Sequence, residues 1–199
     1  MKQVLFINTH IGSGSDYLYQ SLDDYSRIQG YSGNFIYENA ESLLNLTLLP
    51  HKCRNNGAIY LDRILYNHTI KSRDVYKIPD HIFMVREPEG TLGEIGDLMG
   101  WDSAARYYRL RLRRLVSIAK SARHGIFIDY RELQEGSGWN RISDHLQLKS
   151  FSIPKIVELN KVDVPYALIV ECRNTYEWCT YAMKSLGFSE GKSRFGSIA

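Results

Sequence analysis

The sequence predicts an α/β protein with three layers, helices on both faces of a central parallel sheet. Three observations lead there. Val4–Ile7, His81–Val85 and Gly125–Ile128 are short, mainly apolar runs, the form taken by strands covered on both faces. Segments with helical spacing separate them, as crossover connections require. A glycine–serine turn, Gly12-Ser13-Gly14-Ser15, stands between the first run and the first helix.

The elements follow in order. After the turn, Asp16 to Ile28 reads as a helix, with Ser15 suited to capping its start. Residues 39–49 read as helical. So do residues 57–67, from the apolar positions Ile59, Leu61, Ile64 and Leu65. The second strand ends at Arg86. In 101–123 the residues Trp101, Ala104, Ala105, Tyr108, Leu112, Leu115, Val116 and Ala119 fall on one stripe at about 100° per residue. In 165–186, Pro165 suits a first helical position and Asp163 a cap. Leu168, Cys172, Cys179, Met183 and Leu186 form the apolar face, and Gly187 is the stop.

Length and charge bound the function. At 199 residues the chain is expected to form a single domain over 1–199, with 189–199 as a tail. Lys+Arg 25 against Asp+Glu 22 gives +3, too little for a general nucleic-acid coat but compatible with a local anion site. No apolar run approaches the roughly 18 residues of a membrane span, and the start is too short in apolar residues for a secretory signal. Cys53, Cys172 and Cys179 are an odd number without metal-ligand spacing. Reduced thiols and a cytoplasmic location are therefore expected, with no metal, nucleic-acid or membrane partner.

A strand, a Gly-x-Gly turn and a helix together form a device for holding phosphate. Glycine lets the backbone approach, and the first N–H groups of the helix point at the anion. Gly12, Ser13, Gly14 and Ser15 are the candidates; a plain tight turn is the other reading. A nucleotide-hydrolase loop needs a lysine after its last glycine, and Ser15 stands there. The dinucleotide fingerprint needs a third glycine where Tyr17 stands. A smaller anion loop remains.

The turn is one of a series. The second strand runs into Val85-Arg86-Glu87-Pro88-Glu89-Gly90-Thr91-Leu92, and the third into Asp129-Tyr130-Arg131-Glu132-Leu133. In this order the series resembles the sulfotransferase family, which transfers sulfuryl groups from 3'-phosphoadenosine-5'-phosphosulfate (PAPS) and releases 3'-phosphoadenosine-5'-phosphate (PAP). The resemblance covers most of residues 3–133, and the helix at 165–186 is similar to the family's closing helix. It implies a short, divergent member with the P-loop NTPase-like sulfotransferase fold. It implies that Gly12–Ser15 grip the 5'-phosphosulfate and that the Arg-x-Pro segment, through Arg86, holds the 3'-phosphate. The chain departs from the pattern in two places. Gly12 stands where the family has Lys or Arg, with His10 or Lys71 as candidate substitutes. Glu94 stands where a serine is common, eight residues after the arginine, so Thr91 or a basic residue is expected to compensate.

The chemistry implied is transfer to a hydroxyl or amine on a small-molecule, saccharide or peptide acceptor. It calls for a clamp, positive charge on the equatorial oxygens and a base. The resemblance places a catalytic histidine where His68 lies, and an ordinary pKa of about 6.5 suits it; a polar residue at a helix end is the plainer reading. His10 is the second candidate base. Tyr17 and Tyr19 are candidate lining residues. Arg86 is read as an anion ligand or as a salt bridge to Glu87 or Glu89. Arg106, Arg109, Arg113 and Lys120 share one helix flank, either a solvated face or a wall attracting anions. Lys192 and Arg194, in the tail, match the family's basic segment near the C-terminus; a disordered tail is the alternative. Two other functions stay open: an inactive nucleotide-binding or interaction module of the same fold, and a small-molecule kinase, disfavoured by the missing lysine. Acceptor contacts are expected in 29–58 and 134–164.

Overall fold

The computed structural model of the chain describes residues 3–29, 35–37, 59–65, 80–148 and 162–188. Its elements are β1 (Gln3–Asn8), α1 (Ser15–Gln29), β2 (Phe35–Tyr37), β3 (Ile59–Ile64), β4 (Asp80–Val85), α2 (Pro88–Met99), α3 (Trp101–Ser121), β5 (Ile126–Asp129), α4 (Tyr130–Gln134), α5 (Ser137–Leu146) and α6 (Tyr166–Ser185). The strands form one sheet in the order β2-β3-β1-β4-β5, and every pairing is parallel.

Alternation along the strands divides the core in two. Phe6, Phe83, Val85 and Phe127 point to one face, where α2, α3 and α6 cover them with Leu92, Tyr108, Leu112, Cys172 and Met183. Leu5, Ile7, Ile82, Met84, Ile126 and Ile128 point to the other, packed on Leu18 and Leu22 of α1 and on Leu133, Trp139, Ile142 and Leu146 of α4 and α5. The expected three layers around a parallel sheet are present.

Agreement is closest where the apolar stripe is long. The stripe at 101–123 is α3, with Ala104, Ala105, Tyr108, Leu112, Leu115, Val116 and Ala119 all buried. The pattern at 165–186 is α6; Pro165 takes its N-cap position, no side chain caps it, and Gly187 follows with φ +81°.

Residues 57–67 correct the expectation of a helix. Ile59–Ile64 is a strand, lying between β1 and β2. Ile59 and Leu61 alternate as a strand requires, and so short an apolar run fits either period until its neighbours select one. Three helices, α2, α4 and α5, go beyond the sequence expectation. The expected helix at 39–49 lies outside the described residues.

This strand order positions the site. The helix after β1 packs on one face of the sheet and the helix after β4 on the opposite face. The carboxyl ends of β1 and β4 therefore open beside each other at a topological switch point, where ligands of open α/β sheets gather. Among the described residues no helix is long and apolar enough to cross a membrane.

Candidate functional site

The segment after β1 is held from below by three side chains of α3. Arg111, fully buried, donates from Nε to Thr9 O at 2.7 Å and from Nη2 to Ile64 O, joining the ends of β1 and β3. Tyr107 Oη accepts from Ile11 N at 2.8 Å and donates to Leu65 O at 2.9 Å. Tyr108 Oη donates to Arg86 O at 2.6 Å. Thr9 adds a bond from its hydroxyl to Met84 O at 2.8 Å.

His10 belongs to this scaffold. Its Nδ1 donates to Ile11 O at 2.9 Å and its Nε2 accepts from Arg86 N at 3.1 Å, which defines a neutral tautomer. Burial lowers its pKa to about 3. As a candidate base or substitute cation His10 is thus corrected: both nitrogens are occupied beneath the turn, and the ring carries no charge at neutral pH.

Above His10 the turn closes. Gly12 and Gly14 take φ +73° and +81°, which side-chain-bearing residues rarely adopt. Ser13 N donates to His10 O at 3.3 Å, and Tyr17 N and Leu18 N donate to Gly14 O. The N–H groups of Gly14, Ser15 and Asp16 meet no backbone acceptor outside the helix among the described residues. Ser13 is 1% exposed, and among the described residues its Oγ has no hydrogen-bond partner. Buried polar groups are normally paired, so this orphan points to a missing partner. A Cβ on Gly14 would collide with the Tyr130 ring.

Arg86 leaves β4 directly beside this turn. It is 6% exposed, a buried side chain at the edge of the turn. Its Nη1 donates to Gly12 O at 3.1 Å and pairs with Glu94. Glu87 Oε1 stands 3.7 Å from Nε, and Nε has no hydrogen-bond partner. The guanidinium lies 4.8 Å from the centre of the Tyr130 ring. The salt-bridge reading of Arg86 is therefore realised through Glu94 and Glu87, while Glu89 pairs with Arg173. Thr91 is buried with its hydroxyl 3.4 Å from Arg86 O, so it supports the Arg86 backbone.

Tyr130 and Asp129, at the end of β5, complete the rim. Asp129 accepts from Tyr176 Oη, and burial together with that bond pushes the Tyr176 phenol far above its ordinary range. Burial also raises the Tyr130 phenol, against the pull of Arg86. Tyr130 was read only as part of a motif; its role as cover of Gly14 and platform for Arg86 carried no signal in the sequence. Arg111 and Tyr107 were hidden similarly, among the arginines and tyrosines of α3.

No family model and no curated protein matches this chain. The site rests on its own geometry. The structure brings together Gly12, Ser13, Gly14, Ser15 and Arg86, with Thr91 and His10 beneath them. His68, Lys71, Lys192 and Arg194 lie outside the described residues. On α3, Arg109 pairs with Glu171 of α6, whereas Arg106 and Arg113 are exposed. A groove of about 490 Å³ between α3 and α6 is lined by Arg113, Asn174, Thr175 and Trp178; of the predicted residues it contains only Arg113 of the basic flank.

Proposed function

We propose that the chain binds a phosphorylated adenosine at the β1–β4 edge and is a sulfotransferase using PAPS as donor. The observation that carries the reading is the pairing of two anion-seeking features. Among the described residues, N–H groups without a backbone acceptor and the orphan Ser13 Oγ open α1, and Arg86, whose Nε makes no hydrogen bond, lies against Gly12.

In this reading the N–H groups of Gly14, Ser15 and Asp16 and the Ser13 hydroxyl hold the 5'-phosphate, and Arg86 faces the 3'-phosphate. The donor supplies an activated sulfuryl group. The protein's part is to hold the leaving phosphate in fixed dipoles, which need not reorganise as charge develops. The Tyr130 ring lies directly against Gly14. The base is assigned to His68, on the resemblance alone. The acceptor is a hydroxyl or amine of a small molecule, saccharide or peptide, and the expected location is cytoplasmic.

A second reading, a binding module without transfer, is favoured by Gly12 in the place of a cation and by Glu94 on Arg86. Calorimetry and transfer assays separate the two. PAP binding together with label transfer from PAPS to a member of an acceptor panel supports the enzyme; PAP binding without transfer supports the module. No PAP binding at high micromolar ligand, or tight ATP binding in its place, rejects both.

A further inference from the structure

We propose that Glu94 sets the charge selectivity of this site: its carboxylate occupies the place on Arg86 that a second phosphate of the ligand must take. The inference rests on the nucleotide reading above. Arg86 Nη1 is shared between Gly12 O and Glu94 Oε1, and Glu87 Oε1 stands 3.7 Å from Nε. One guanidinium thus faces two carboxylates, so a phosphate arriving there meets net negative charge.

The two carboxylates differ in exposure and in place. The Glu87 side chain is 22% exposed, and the loop residue precedes α2 directly. The Glu94 side chain is 35% exposed and stands on the second turn of α2, the more solvent-accessible of the two. Arg86 itself is fixed by Gly12 O, the Tyr130 ring and a main chain bonded to His10 and Tyr108. Glu94 is the partner that yields. Binding of a doubly phosphorylated nucleotide is therefore an exchange of one anion for another at Arg86, whereas a nucleotide with only a 5'-phosphate meets Glu94 only beside Gly12, where its Oε2 would lie 3.4 Å from a Cβ on that glycine. Glu94 is a positioning residue: it acts on the ligand through Arg86.

The test compares PAP with 5'-AMP on the full chain, by calorimetry, for the wild type, Glu94→Gln and Glu94→Ser. Circular dichroism and melting curves verify that each protein is folded. Removal of the competing charge is expected to tighten PAP binding about tenfold and 5'-AMP binding by no more than about threefold, because Glu94 also stands beside Gly12. A general change in structure would move both nucleotides together, so the ratio is the readout. Unchanged or weaker PAP binding in both variants overturns the role of Glu94, as does an equal gain for both nucleotides. If neither nucleotide binds any of the three proteins, the nucleotide reading itself fails and the role of Glu94 falls with it.

Discussion

At the scale of single residues, His10 and Gly14 do different work within a few ångströms of each other. His10 holds Arg86 N and Ile11 O only while it is neutral, and burial lowers its pKa from 6.5 to about 3. The unfolded chain takes up this proton near the ordinary value and the native chain does not. Stability from this residue is complete above pH 6.5 and falls as pH drops toward 3, because the unfolded state then binds more protons. Urea midpoints are expected to show a loss of about 1–2 kcal/mol between pH 7 and pH 5. His10→Asn should be less stable at pH 7 and flatten that slope; an unchanged slope would show that His10 titrates normally. Gly14→Ala meets both a left-handed backbone and the Tyr130 ring. It should cost about 1–3 kcal/mol and abolish PAP binding, as read by melting and calorimetry.

The elements carry the site through α3. Arg111 and Tyr107 fasten the ends of β1 and β3, and Tyr108 fastens Arg86. Arg111→Met keeps the length of the side chain but strands Thr9 O in the interior. Denaturant unfolding should show a loss of about 2–3 kcal/mol, and nucleotide affinity should fall with it. A variant as stable as the wild type would remove Arg111 from the scaffold. On the other side of α3, Cys172 and Cys179 of α6 pack against Ala105 and Leu112, and burial raises their thiols to about 11 and about 12. In a Cys53→Ser background, neither should react with a disulfide reagent at pH 8 until the protein is unfolded. Rapid labelling of the native protein would mean that α6 separates from α3.

For the whole molecule, the legible part of the fold was its long periodic helices and its short apolar strands. The stripes of α3 and α6 define their faces over many turns, so local pattern suffices. Ile59–Ile64 was misread because six residues do not distinguish the two periods, and only pairing with β1 settles the matter. The site was partly legible. The glycine turn and Arg86 stand out because glycine spacing and a strand-terminal arginine have local signatures. The cover supplied by Tyr130 and the locked state of His10 depend on segments far apart in the chain, and the pairing of Arg86 with Glu94, eight residues on, depends on the helix α2 that carries Glu94. A position beside the turn in sequence says nothing of whether a ring faces solvent or core.

The strand order joins these scales, because it alone places the ends of β1 and β4 side by side. A crystal structure of the protein soaked with PAP tests that claim most directly. Its predicted result is one phosphate on the main chain of Gly12–Ser15 and the other against Arg86, with the Glu94 head turned away. A ligand bound at any other edge, or Glu94 still paired with Arg86 at saturating PAP, would contradict it.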